Sequence, residues 1–140
     1  MAITRSEFVA LIEALADAWA ALDAGRAVEC FTPDAAYLQP PDLQFYEGHE
    51  QLRRYFGALT PGTYLDLHNL WFDEASQRGC LEFSFGVRNA PEADHGTIVV
   101  EVRDGLIAQW REYVQPGPAD FARFIATDAK DWAWHIGNYP

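Results

Sequence analysis

Basic side chains are scarce in this chain: ten Lys and Arg stand against 21 Asp and Glu, a formal charge of −11 over 140 residues. Nucleic acids and anionic membrane surfaces are held by a basic footprint, so neither is expected as a partner. Cysteine is scarcer still. Cys30 and Cys80 are too few and too far apart for a disulfide framework or a metal knuckle, and they read as reduced, buried thiols of a cytoplasmic protein. No apolar run approaches the roughly 20 residues of a membrane span, and the N-terminus lacks the basic-then-apolar order of a secretory signal. The four His residues have no ligand spacing with one another or with the cysteines, so neither a metal nor another cofactor is expected. There is no internal repeat, low-complexity tract or linker, and 1–140 reads as one domain. What is present is core-forming material: 49% apolar and 14% aromatic residues suit a globular, soluble domain.

Periodicity supplies the elements. Thr4 with Glu7 forms a capping box, and Phe8, Leu11, Ile12, Leu15, Trp19 and Leu22 recur at spacings of three and four, predicting a helix over about 4–23. A shorter helix follows Gly25 to about Phe31 and ends at Thr32-Pro33-Asp34. Ala35–Gln39 reads as a short strand, Leu43–Tyr46 as an extended piece, and about 49–59 as a third helix with Leu52, Tyr55, Phe56 and Leu59 as its buried edge. From Thr63 the period becomes two, predicting strands over about 64–72, 81–87, 97–103 and 106–114. Asn89–His95 reads as a polar loop, Pro116-Gly117-Pro118 as the end of the sheet, and about 119–126 as a small helix. This order predicts an α+β domain in which a strongly curved antiparallel sheet wraps on three N-terminal helices, a cone-shaped α+β barrel with a cavity inside.

The stretch Asp104–Tyr113 holds the sharpest chemical signal. Asp104-Gly105 makes a tight turn, and strict alternation then puts Leu106, Ala108, Trp110, Glu112 and Val114 on one side of a strand. Glu112 is thus an acid on an apolar face. It is either a pocket group, desolvated beside Trp110 and usable as a general acid or base, or a rim residue paired with an arginine. On the strand 64–72, alternation groups Tyr64, Asp66, His68, Leu70 and Phe72 against Leu65, Leu67, Asn69 and Trp71. If the first face lines the cavity, Asp66 can fix the tautomer of His68; if the second packs the core, both are solvated. Tyr37 and Gln39 share a face and could position substrate or water, or Tyr37 is a buried aromatic. Phe83 and Trp110 read as apolar wall. His49 reads as a surface or capping residue at a helix start, and His95 as solvated. Trp132, Trp134, His135 and Tyr139 make 127–140 an aromatic tail that packs on the domain or a partner.

The long first helix, D-A-A-Y-L-Q-P-P at 34–41, E-G-H-E-Q-L at 47–52 and D-G-L-I-A-Q-W-R-E-Y at 104–113 together resemble the nuclear-transport-factor-2-like superfamily, and within it the SnoaL-like group, over about 4–126. That fold hosts isomerases, dehydratases, epoxide hydrolases, polyketide cyclases and plain binding proteins. Among limonene-epoxide hydrolases the W-R-[DE]-Y motif puts an acid in the pocket, the place of Glu112 here. Their Tyr and Asn two residues apart correspond to Tyr37 and Gln39, with Gln for Asn; their Arg-x-Asp pair has no counterpart on the inward face of 80–88. The ketosteroid isomerase set is not matched either. The resemblance implies a cofactor-independent acid–base enzyme for a small apolar or ring-bearing ligand, by isomerisation, cyclisation, dehydration or hydration. Glu112, His68 and Asp66 would carry protons, and Tyr37, Gln39, Tyr64, Phe83 and Trp110 would surround the substrate. The other reading is a non-catalytic ligand-binding or assembly module. Back-to-back pairing of such sheets implies a homodimer, with Trp71 and Tyr113 at its interface.

Overall fold

The computed structural model describes residues 1–126; the aromatic tail lies outside the described residues. The first helix, α1 (Arg5–Ala20), starts on the capping box that the sequence encodes. Thr4 Oγ1 accepts from the Glu7 amide, and the Glu7 carboxylate accepts from the Thr4 amide at 2.8 Å. Its stripe of Phe8, Ile12, Leu15 and Trp19 is buried to 2% exposure or less, so the periodicity does mark the core face. Asp23 caps α2 (Ala24–Glu29) by accepting from the Arg26 amide. Next come β1 (Phe31–Gln39), β2 (Gln44–Glu47) and α3 (Gly48–Phe56), then the strands β3 (Thr63–Asp73), β4 (Arg78–Val87), β5 (Glu92–Arg103) and β6 (Leu106–Pro118), and the short α4 (Phe121–Phe124).

The six strands form one sheet in the order β2-β1-β6-β5-β4-β3, open at β2 and β3. Every neighbouring pair is antiparallel except β1 and β6, which run parallel. The sheet therefore curves over α1, α2 and α3 without closing. One core fills the space between them, with Phe8, Trp19, Phe31, Phe56, Phe83 and Trp110 among its members.

Two bulges set which side chains face that core. On β3, Leu67 pairs with Phe83 and Asn69 with Glu82, so His68 is the extra residue. Inward positions accordingly run Leu65, Leu67, then Leu70 and Phe72, crossing from one alternation group to the other. On β6, Gln109 pairs with Glu101 and Ile107 with Val102, leaving Ala108 unopposed. Ile107 is fully buried alongside Trp110, although strict alternation sets them on opposite faces.

Three boundaries differ from expectation. Phe31–Pro33 belongs to β1, because the shift between Phe31 and Ala36 in its pairing with β6 leaves Pro33 where no regular ladder bond is needed. The polar stretch from Glu92 is strand, not loop, and continues β5. Pro116-Gly117-Pro118 stays in the sheet opposite Asp94, Ala93 and Glu92. The register of β1 on β6 runs only to Arg111, so those prolines lie where β6 has a partner on one side alone.

Candidate functional site

The site begins with a register. Tyr37 of β1 lies beside Trp110 of β6, and their rings stack at 5.8 Å with an interplanar angle of 10°. Both are essentially buried, and they form a floor two residues before Glu112 on the same face of β6. The Glu112 carboxylate accepts long hydrogen bonds from Trp110 Nε1 at 3.4 Å and from the Tyr37 hydroxyl at 3.5 Å. It faces a cavity of about 160 Å³. Gln39 and Gln44 line its β1–β2 side and Tyr55 comes from α3; Phe83, Phe85 and Val114 supply apolar wall, and Asp94 of β5 lies exposed at its rim.

Burial pushes the Glu112 carboxyl up from 4.5 to about 7; the bonds from Trp110 and Tyr37 oppose the rise, and the charge of Asp94 adds to it. The Tyr37 phenol is held well above its ordinary value, first by burial and then by the neighbouring Glu112 charge, so it remains a donor at any physiological pH. A carboxyl group poised near neutrality, with a phenol donor beside it, can take up and return a proton.

The cavity gathers Glu112, Tyr37, Gln39 and Phe83, with Trp110 beneath them. It does not gather Asp66, His68 or Tyr64, which correct the expectation that their face of β3 lines it. Leu65 and Leu67 point inward on that strand, so these three lie on the outer face of the sheet. Asp66 is paired through both oxygens with Arg88, at 3.0 and 3.2 Å, and not with His68. The Arg88 guanidinium rests 4.0 Å from the centre of the Tyr64 ring. His68 Nε2 lies 2.6 Å from Ser84 Oγ, which lies 2.7 Å from His95 Nδ1. His95, expected in solvent, is fully buried, because β5 begins early enough to carry it beneath α4. His49 fastens the start of α3 to β1, with Nε2 at 2.8 Å from the Phe31 carbonyl.

Phe85 and Val114, which alternation sets on the faces of Phe83 and Glu112, also line the cavity, as do Asp94 and Gln44, which sequence reasoning had not singled out for it. For Asp94 the signal was there: alternation run backwards from Ile98 through Gly96 reaches it, and the polar composition of 89–95 concealed the strand. Tyr55 was read as part of a helix's buried edge, correctly, but nothing in helical spacing distinguishes a cavity wall from solid core. Among the described residues no group of three or more His, Cys, Asp or Glu could hold a metal ion, and both cysteines are free.

An open curved sheet on three helices is the arrangement of nuclear-transport-factor-2-like folds, and the SnoaL-like domain matches residues 12–110. The chain belongs to the SnoaL-like domain family. Among solved structures, this SnoaL-like chain is similar to a protein of unknown function with a cystatin-like fold from Methylobium petroleophilum PM1. That likeness has a TM-score of 0.72 and 18% identity over 100% of this chain and 99% of that chain. An LEH-like epoxide hydrolase from M. tuberculosis is similar at TM-score 0.65 and 19% identity, over 79% and 84% of the two chains. A putative ketosteroid isomerase from Kribbella flavida DSM 17836 is similar at TM-score 0.65 and 16% identity, over 95% and 92%. At such identities the likeness establishes the fold alone. No curated protein matches the sequence.

Proposed function

We propose that this SnoaL-like domain is a cofactor-independent enzyme that moves a proton on a small, largely apolar or ring-bearing molecule, with Glu112 as the acid and base. One observation carries the reading: a partly buried carboxyl, raised to about 7, faces a small cavity walled by aromatic side chains. Ionised, Glu112 takes a proton from an activated carbon; protonated, it returns that proton. The Tyr37 hydroxyl steadies the carboxylate, and Gln39 is placed to orient a substrate oxygen. Asp66 and His68 are engaged on the other face, so a reaction needing one proton carrier fits better than one needing two. Isomerisation is such a reaction, since one carboxyl group removes a proton at one position and delivers it at another. A cytoplasmic setting, with both thiols free, belongs to this reading. So does pairing of two copies through the sheet, for which Trp71 and Tyr113, 55% and 47% exposed, supply apolar surface.

The test is solvent deuterium exchange at activated carbons of a panel of small cyclic ketones, followed by NMR. The native chain should catalyse exchange, and Glu112→Gln should slow it by about a hundredfold or more while leaving ketone binding intact. Exchange that survives Glu112→Gln unchanged would remove Glu112 from the chemistry. Binding with no Glu112-dependent exchange in the native chain would favour a non-catalytic binding module, the reading supported by the missing Arg-x-Asp pair.

A further inference from the structure

Among the described residues, every charged side chain lining the Glu112 cavity is acidic: Glu112 in its wall and Asp94 at its rim. The same holds for the hollow of about 400 Å³ beside it, which shares Phe85 and Asp94 with the cavity and whose only other charged lining residue among the described residues is Glu92. Three arginines adjoin lining residues in the chain: Arg88 is bound to Asp66, Arg111 bonds Gln109 and Tyr113, and the third is Arg54, next to Tyr55. It serves a separate hollow, is largely exposed, and is ion-paired to Glu50 at 3.1 Å. Among the described residues, neither the cavity nor the hollow beside it thus offers a cation to an incoming carboxylate, phosphate or oxyanion.

We propose that the cavity takes a small organic cation, a protonated or quaternary amine, with its nitrogen head toward Glu112 and Asp94 and its carbon substituents against Tyr37, Tyr55, Phe83 and Phe85. This rests on the reading of the cavity as the ligand site and names its ligand class. Three physical terms select that class. Two carboxylates attract a cation and repel an anion, and the attraction strengthens where walls exclude water. Aromatic rings favour an ammonium head over a neutral group of the same shape, through the negative potential of their faces. A neutral ligand would satisfy the rings but leave Glu112 desolvated and without a counter-charge. The excess of acid over the whole chain adds a long-range field of the right sign for capture.

The proposal predicts a proton linkage. The groups around the Glu112 carboxyl are Tyr37 from β1, Tyr55 from α3, Asp94 from β5 and Trp110 from its own strand. The two tyrosines are held above their ordinary values by burial and stay neutral, which leaves Glu112 as the wall group that changes charge near pH 7. A bound cation favours ionised Glu112, so the ligand displaces a proton below pH 7 and its affinity climbs as pH rises through that value.

The experiment compares choline with 3,3-dimethylbutan-1-ol, its uncharged carbon isostere, by calorimetry on the full chain at pH 6 and pH 8. Choline should bind about tenfold or more tightly than the alcohol at pH 8, and tighter at pH 8 than at pH 6. Glu112→Gln should abolish the pH gain, and Asp94→Asn, at the exposed rim, should weaken choline without weakening the alcohol. Equal or stronger binding of the alcohol at both pH values overturns the cation class. So does absence of choline binding up to about 10 mM. Glu112-dependent exchange on neutral ketones is read separately, so it can stand when the cation class falls, or fail when choline binds.

Discussion

At Glu112, burial and hydrogen bonding pull in opposite directions. Loss of water raises its pKa, while the donors Trp110 and Tyr37 lower it, and burial wins, giving a value of about 7. The folded state therefore holds this proton more tightly than the unfolded chain, whose ordinary value is 4.5. The resulting stabilisation is fully present below that ordinary value and is lost as pH rises through about 7. The difference between the two values amounts to roughly 3 kcal/mol. Glu112→Gln keeps the size and hydrogen-bonding shape but cannot ionise. The variant should gain on the native chain as pH rises, matching it near pH 4 and exceeding it at pH 8 by up to about 3 kcal/mol in urea denaturation. Parallel stability curves across that range would mean that Glu112 ionises freely. Tyr37→Phe removes one of the two groups that hold the value down. An NMR titration of the Glu112 carboxyl carbon should show its midpoint move upward, and a downward move would mean that the phenol does not serve the carboxylate.

On the outer face of the sheet, α4 is seated on a chain of hydrogen bonds whose directions can be deduced. The Pro118 carbonyl can only accept, so His95 Nε2, 2.7 Å away, carries the proton. In the neutral imidazole Nδ1 is then the acceptor, taking a bond from the Ser84 hydroxyl, whose oxygen accepts from His68 Nε2. Phe121 stacks on His68 at 3.5 Å and Phe124 on His95 at 4.1 Å, so the helix lies directly on the two imidazoles. His95→Ala leaves the buried Ser84 O–H without its acceptor, removes the imidazole donor from the Pro118 carbonyl and opens a void beneath Phe124. It should cost about 3 kcal/mol by denaturation and release the Phe124 and Ile125 amides to hydrogen exchange. Full protection of those amides would mean that α4 is held by something else. Burial also holds the His68 value below its ordinary 6.5. Its contribution is therefore present above that ordinary value and lost as pH falls through the lower folded one, opposite in sign to that of Glu112. Gly96 marks a second tight point, where β5 meets β6. A Cβ there would stand 1.9 Å from the Tyr113 carbonyl oxygen, which is backbone and cannot turn aside. Gly96→Ala should therefore open the strand pair next to Glu112, at about 3 kcal/mol or more in urea denaturation. The face of a strand is legible in sequence only between bulges. Glu112, Trp110 and Phe83 lie in uninterrupted runs, and alternation placed all three correctly. His68 and Ala108 look like any other strand residues, yet each is the extra residue of a bulge that only its partner strand reveals, so strict alternation carried across them put Tyr64 and Asp66 on the face of Leu70, and Ile107 on the face opposite Trp110, where the strands do the reverse.

Across the whole molecule, helix periodicity and β-branched runs made the layers legible, but the parallel contact of β1 with β6 was not, because it joins segments far apart in the chain with no local signal of direction. Charge is the other property of this scale. The five ion pairs among the described residues all involve side chains at least 36% exposed, where each contributes little. Against them stands the uncompensated charge of −11, a repulsion summed over the entire surface. Salt weakens both terms, yet the pairs have little to lose and the repulsion acts over longer distances. Near 0.01 M the screening length of about 30 Å spans most of a small domain, and at 0.15 M it falls to about 8 Å, so distant acids cease to interact. Raising NaCl between those concentrations should therefore stabilise the fold, by roughly 1 kcal/mol or about 4 °C in the thermal midpoint at pH 7. A midpoint that falls instead would show that the surface pairs, Asp66–Arg88 and Asp34–Arg103 among them, outweigh the excess of acid.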